Sequence, residues 1–138
     1  MKLAALLSLV AVSLAALSGC SGGDGEIAVD AATSALTAEG NDELFTIRIV
    51  EAREGGYALS GLVVKAIVDG KDPLVVSCAT SDANGNGVLD KDDKLTCKES
   101  GTNDFDASLA GKEIDVELYA TIEDKETKVG AASWTPAK

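Results

Sequence analysis

The sequence of 138 residues contains no histidine, few aromatic residues, and only 12 lysines and arginines against 23 aspartates and glutamates. Without histidine, the chain has no Ser-His or Cys-His nucleophile pair and no histidine-bearing zinc site. The formal net charge of -11 opposes contact with a phosphate backbone, which proteins neutralise with clustered basic side chains. These absences argue against most hydrolase and zinc-enzyme mechanisms, and we expect no nucleic-acid partner.

Residues 1–19 have the pattern of a secretory signal peptide. A single positive charge at Lys2 precedes an apolar run from Leu3 to Leu17, which only two serines interrupt. This run is shorter than the roughly 20 residues that a membrane-spanning helix needs, and small residues follow it. We therefore predict a cleaved leader, and a permanent membrane helix is the weaker alternative.

The tetrapeptide Leu17-Ser18-Gly19-Cys20 resembles the lipobox of bacterial lipoproteins, in which the cysteine becomes the lipidated first residue after cleavage. The resemblance implies a diacylglyceryl thioether on Cys20, usually with an added N-acyl chain, and several chains anchor a protein stably. It places the protein in the bacterial cell envelope, with the membrane as a partner. By the same resemblance, the absence of Asp at residue 21 implies outer-membrane sorting if the source has two membranes.

The segment after the lipobox is expected to be a flexible tether over residues 20–33, because Ser, Gly and Asp fill its first part. Between Ile27 and Glu39 the alanines are dense, but they form no helical stripe. We expect a loop or a short edge strand there, with a short helix as the alternative. The folded domain is then expected over residues 34–138.

Short apolar segments separated by turn signals follow. Residues 44–50 alternate with the period of a half-buried strand, and residues 57–68 are apolar on both faces, as in a central strand. The clearest alternation runs over residues 114–123, and a last strand is expected over 128–135, with Val129 and Ala131, or Ala132 and Trp134, facing inward. The pattern predicts an all-β fold, an antiparallel β-sandwich of about seven strands that is immunoglobulin-like.

Two cysteines remain once Cys20 carries lipid. Cys78 and Cys97 are expected to form a disulfide, because an exported compartment permits oxidation and a small domain gains stability from the bridge. The alternative is a pair of free buried thiols.

The segment between these cysteines, residues 82–93, has the ligand spacing of an EF-hand calcium loop. Gly87 occupies position 6, where such loops turn sharply, and Leu89 at position 8 is expected to anchor the loop in the core. The expected Ca²⁺ ligands are side-chain oxygens at positions 1, 3, 5, 9 and 12 and a main-chain carbonyl at position 7, namely Asp82, Asn84, Asn86, Asp90 and Asp93, and Val88.

The opening Asp-x-Asn-Gly-x-Gly and the Asp at position 12 make this loop similar to those of dockerins, the calcium-binding modules of cellulosomes. The resemblance covers these twelve residues alone. Lys94 replaces the usual apolar residue after position 12 and neither flank has a helical pattern, so the cohesin-binding role of dockerins is not carried over. The alternative is a plain hairpin loop, because Asn84-Gly85 and Asn86-Gly87 are turn signals in their own right.

The leading functional hypothesis is a non-enzymatic, lipid-anchored β-sandwich whose calcium-stabilised surface has a binding or structural role toward an unknown protein or glycan. One alternative is a small envelope enzyme that uses paired carboxylates. The other is an inhibitor whose loops bind another protein. The remaining acidic clusters, residues 104–106 and 123–124, lack ligand spacing and are expected to be solvated, as is the face that carries Tyr119.

Overall fold

The computed structural model describes residues 25–101 and 104–138. Within these ranges the chain is all-β, and no helix has the length and apolar character needed to cross a membrane. A 3₁₀ turn covers Ala107–Leu109. The strands are β1 Glu26–Ala31, β2 Glu43–Glu51, β3 Tyr57–Ala58, β4 Val63–Ile67, β5 Leu74–Ser81, β6 Val88–Leu89, β7 Lys94–Lys98, β8 Ile114–Ile122 and β9 Lys125–Trp134.

Seven of these strands form one continuous antiparallel ladder in the order β1-β2-β7-β5-β4-β8-β9, and β3 pairs with β6 separately. Strand β5 joins the two halves, because its residues 74–76 pair with β4 and its residues 77–81 pair with β7. With β3 and β6 set aside, the order corresponds to strands A-B-E-D and C-F-G of an immunoglobulin-type sandwich. The predicted antiparallel all-β fold is confirmed.

The two ends of the ladder approach each other through β1 and β9. A side-chain carbon at Gly130 of β9 would lie 2.8 Å from Cγ2 of Ile27 in β1, which is too close for ordinary packing. Glycine is required at this position because the buried side chain of Ile27 packs directly against the last strand. The sheet begins with Glu26–Ala31, inside the segment 20–33 that was expected to be a tether, so the tether is shorter than expected. A short edge strand was one of the two structures expected for this part of the chain.

The core is built from the inward residues of both halves. Along β8 the predicted alternation holds, since Ile114, Val116, Leu118 and Ala120 are all buried. Trp134 at the end of β9 packs against Phe45, with ring centroids 4.8 Å apart, and against Phe105. These contacts close one end of the sandwich with aromatic side chains.

Three local features differ from the expectations. The run 57–68 is two strands rather than one, because Gly61 has a φ of 81° and breaks the extended backbone between β3 and β4. The last hairpin turns at Glu123 and Asp124, both with positive φ, so β9 begins at Lys125. A bulge at Val129 then changes the alternation of β9 and lets Val129 and Trp134 both be buried.

Candidate metal centre

The loop of residues 82–93 connects β5 to β7 and is closed at its base by the disulfide. Cys78 and Cys97 lie directly opposite each other in the β5–β7 ladder and are covalently bonded, which confirms the expected pairing. The main chain of β2 also supports the loop, since Ile49 N donates to the carbonyl of Asp93 and Asp92 N donates to that of Ile49. Both ends of the loop are therefore fixed to the sheet.

The middle of the loop is anchored by β6. Leu89 lies opposite Tyr57 in the β3–β6 ladder and is fully buried, as position 8 of the loop was expected to be. Val88, whose carbonyl is the expected ligand at position 7, pairs with Ala58. The short β3–β6 ladder thus holds the loop against the β2–β3 turn.

Asp82, at position 1, has one satisfied and one unsatisfied carboxylate oxygen. Its Oδ2 accepts a hydrogen bond of 2.7 Å from Gly87 N, across the sharp turn of the loop. Its Oδ1 is buried and has no hydrogen-bond partner among the described residues. A buried carboxylate oxygen without a donor costs free energy, so this atom is where a cation would be stabilised best.

Asp93, at position 12, has no solvent-exposed surface. Its two oxygens accept hydrogen bonds from Ala83 N at 2.8 Å and from Asp90 N at 2.9 Å. Neither of the ion pairs found in residues 25–101 and 104–138 involves Asp93. Main-chain N–H groups thus donate to both oxygens of this buried carboxyl group, which also interacts with the side chain of Asp90, and a cation there would add a counter-charge.

The other expected ligands contact one another. The amide nitrogens of Asn84 and Asn86 donate to the carboxylate of Asp90 at 3.3 and 2.6 Å. The hydrogen bond from Asn86 is the main reason that the pKa of Asp90 is below its ordinary value. The amide oxygens of the two asparagines accept from Asn86 N and Val88 N, and each retains a second lone pair.

In this conformation the three aspartates are not gathered around one point. No group of three or more Asp, Glu, Cys or His side chains in the described part of the chain is placed so that it could hold a metal ion. The loop satisfies much of its own hydrogen-bonding capacity, which is what the plain-turn alternative expects. The plain-turn alternative also accounts for the buried Asp93, whose oxygens accept two main-chain hydrogen bonds within the loop, but it does not account for the buried Oδ1 atom of Asp82.

An open cleft of about 380 Å³ lies between this loop and the β2–β3 turn, and four of the six expected ligands line it. Its walls carry two basic side chains, which the sequence analysis did not single out because only the β3–β6 pairing brings them together. The four ligands are Asn84, Asn86, Val88 and Asp90, and the two basic side chains are Arg53 on the β2–β3 turn and Lys91 on the loop.

A second pair of acidic residues, at the opposite end of β7, has pKa values shifted in opposite directions. Burial raises the pKa of Glu99, whereas the hydrogen bond from Thr37 N lowers the pKa of Asp42. The cavity beside Glu99 measures about 10 Å³, which is too small for a substrate. This pair therefore gives the enzyme alternative no specific support. Glu99 comes directly after β7 and continues the alternation that buries Leu95 and Cys97.

The cluster at residues 104–106 has structural roles. Phe105 is buried against Trp134 and its N–H donates to Glu99, while Asp106 caps the 3₁₀ turn by accepting from Ser108 N. Residues 1–24, with the expected signal peptide, lipidated Cys20 and the first part of the tether, lie outside the described residues.

Comparisons with known proteins add no family to these observations. No protein-family model matches the chain, and neither a curated protein nor a solved structure matches it. The likenesses to lipoproteins and to dockerin loops therefore remain predictions that depend on the residues alone.

Proposed function

We propose that this protein is a lipid-anchored lipoprotein of the bacterial envelope, whose β-sandwich binds Ca²⁺ in the loop of residues 82–93 and has a binding or structural role. The observation that carries the calcium site is the buried Oδ1 of Asp82, which has no hydrogen-bond partner in the described part of the chain and lies where the loop spacing expects the first ligand. The Cys78–Cys97 bridge supports the envelope location, since such bridges persist in oxidising compartments.

The loop residues divide into two groups in this proposal. Three carboxylates supply the negative charge, and three neutral oxygens complete the set, which is chemistry that suits a hard cation. The ion supplies positive charge beside the buried carboxylates and links the start of the loop to its end. The residues in the set are Asp82, Asp90 and Asp93, and Asn84, Asn86 and Val88 through its carbonyl.

The expected affinity is modest, because only three ligands are charged and Asp93 is shorter than the Glu usual at position 12. We expect a dissociation constant of roughly 10⁻⁵ to 10⁻³ M, and weaker binding of Mg²⁺. The loop is flanked by strands in the described chain, not by a pair of helices that open on binding. The role of the ion is therefore structural.

Thermal unfolding with and without Ca²⁺ tests the site. At a concentration 100 times the dissociation constant, the folded state gains about 2.7 kcal/mol by linkage, so the melting temperature rises. Asp82→Asn keeps an acceptor for Gly87 N but removes the charge, and it is expected to abolish the rise. Asp92→Asn is the matched control, since Asp92 is exposed, is not a proposed ligand, and has a φ of 77° that Asn tolerates.

Cell fractionation tests the anchor. Cys20→Ser is expected to release the protein from membranes or to leave its leader uncleaved, because the thiol is both the lipid site and the processing mark. A processed variant that stays in the membrane fraction as fully as the wild type would contradict the anchor.

A further inference from the structure

The second half of β5 has one side that is not covered by another strand. In the strand order, β5 lies between β7 and β4. Its residues 74–76 pair with β4, whereas its residues 77–81 pair with β7 alone among the strands of residues 25–101 and 104–138. Within 77–81, Cys78 is half-buried and the other residues are exposed. Residues 77–81 therefore form an open edge of the sheet on the side away from β7.

The distance between Cys78 and Cys97 shows which main-chain groups face this open edge. Their Cα atoms are 4.0 Å apart. This distance fits a non-hydrogen-bonded antiparallel pair, at about 4.5 Å, and not a hydrogen-bonded pair, at about 5.5 Å. The N–H and C=O groups of Cys78 therefore point away from β7, and those of Thr80, two residues on, point the same way. No main-chain hydrogen bond of the described residues uses them.

This edge has none of the features that usually keep exposed edges from pairing. Natural edge strands are protected by charged side chains, by proline or by a bulge. Residues 74–81 contain no charged residue and no proline, and the β5–β7 ladder has no register shift. By contrast, β1 contains two acids and β9 contains three charged residues. The open edge of β5 is therefore able to pair with another strand.

The open edge is also held in a fixed conformation. The Cys78–Cys97 bridge joins β5 covalently to β7, and the ladder continues on both sides of the bridge, from Ser77 to Ser81. Binding to a preformed surface costs less conformational entropy than binding to one that must first become ordered. The main-chain groups at this edge are thus already placed to accept a strand.

A second copy of β5 fits this edge in one antiparallel register. When Ala79 lies opposite Ala79 of the other copy, Cys78 of each copy lies opposite Thr80 of the other. Each copy then supplies two N–H donors and two C=O acceptors, so all of the outward groups are used in four hydrogen bonds. A two-fold axis at Cys78 or at Thr80 would leave some of these groups without a partner, because β4 already occupies residues 74–76 and the strand ends at Ser81.

The side chains at this edge let two acidic chains meet without opposing charges of the same sign. The net charge of -11 opposes contact between copies in general. In the register centred on Ala79, however, Ser77 lies opposite Ser81 and no charged residues face each other. Lys94 and Lys98, beside this edge on β7, would lie three strand spacings, or about 14 Å, from the lysines of the other copy. That separation exceeds the Debye length of about 8 Å at physiological ionic strength, so their repulsion is screened.

We propose that two copies of this protein form a dimer by antiparallel pairing of their β5 strands, with the two-fold axis at Ala79. The sheets β1-β2-β7-β5 of the two copies then join into one sheet of eight strands. The dimer requires neither the calcium ion nor the lipid of the proposed function. Five residues from each copy are far fewer than the roughly 20–30 a side of a standard interface, so the association is weak and depends on concentration.

Sedimentation velocity of the unlipidated mature protein at increasing concentration tests the pairing. We expect a reversible change from monomer to dimer. The dimer fraction should rise with NaCl concentration, because salt screens the repulsion between two acidic chains while the paired edges carry no charge. A wild-type protein that stays monomeric at millimolar concentration overturns the inference and leaves the edge to a strand of a different protein.

Substitutions at the axis test the register. Ala79→Glu places two carboxylates opposite each other and should abolish the dimer, and Ala79→Lys should do the same with two ammonium groups. An equimolar mixture of these two variants should restore the dimer, because the facing charges then have opposite sign. Ala107→Glu adds the same charge at an exposed position outside β5, so it is the matched control and should dimerise as the wild type does. A dimer that survives Ala79→Glu, or a mixture that stays monomeric, overturns the inference.

Hydrogen exchange of the wild type tests the same pairing without a substitution, in case the variants at Ala79 do not fold. The amides of Cys78 and Thr80 should exchange more slowly at high protein concentration than at low concentration, because they become hydrogen-bonded only in the dimer. Exchange of these two amides at a rate that does not depend on protein concentration overturns the inference.

Discussion

Reduction of the Cys78–Cys97 bridge is expected to lower the free energy of unfolding by about 3 kcal/mol. The two cysteines are 19 residues apart, and closing a loop of that size removes about this much chain entropy from the unfolded state. The folded state should change little, because the neighbouring pairs Ala79–Thr96 and Ser77–Lys98 hold the register of β5 and β7. The effect therefore arises mainly in the unfolded chain.

The assay is urea unfolding of the unlipidated mature protein, oxidised and reduced, at a fixed calcium concentration. The midpoint should fall and the slope should rise on reduction, since an uncrosslinked chain exposes more surface when it unfolds. Cys78→Ser should reproduce the loss and is preferred to a change at Cys97, whose complete burial would add a packing defect. Equal midpoints for the oxidised and reduced forms would refute the reasoning.

Three further predictions concern residues outside the loop. The hydrogen bond to Glu117 raises the pKa of Tyr119 to about 12, so Glu117→Gln should lower it toward 10 in an ultraviolet titration. Gly130→Ala should cost about 1–3 kcal/mol in urea unfolding, because its side chain would overlap Ile27. Burial raises the pKa of Glu99 above 4.5, so at a pH just above 4.5 the folded state holds a proton on Glu99 more often than the unfolded state does. The contribution of Glu99 to the free energy of unfolding therefore falls as the pH rises through its folded-state pKa, and this contribution should be absent in Glu99→Gln.

Each of these predictions has a contradicting result. An unchanged titration curve in Glu117→Gln would show that Tyr119 does not depend on that hydrogen bond. A Gly130→Ala protein as stable as the exposed control Ala131→Ser would mean that β1 and β9 are not in contact. Identical pH dependence of wild type and Glu99→Gln between pH 4.5 and neutrality would exclude a raised pKa for Glu99.

The strands with strict alternation could be predicted from the sequence because a single physical effect determines them. One face of β8 is buried and the other is solvated, so period-two hydrophobicity specifies both the strand and its register. The break at Gly61 and the bulge at Val129 were not predicted. Both features depend on a local backbone conformation that is set by pairing with neighbouring strands, and a run of apolar residues does not predict such a conformation.

For the candidate site, the loop could be predicted from the sequence, but the cleft beside it could not. The spacing from Asp82 to Asp93 is a local pattern, and it also gave the anchoring role of Leu89. The cleft with Arg53 and Lys91 was not predictable, because these residues are brought together by the pairing of β3 with β6, two strands of two residues each with no periodic signal.

Calorimetric titration of the unlipidated mature protein with CaCl₂ tests the central claim most directly. The account predicts one site per chain, a dissociation constant of roughly 10⁻⁵ to 10⁻³ M, loss of the binding heat in Asp82→Asn, and its retention in Asp92→Asn. The absence of binding heat from the wild type at millimolar calcium would show that residues 82–93 form a hydrogen-bonded turn without an ion.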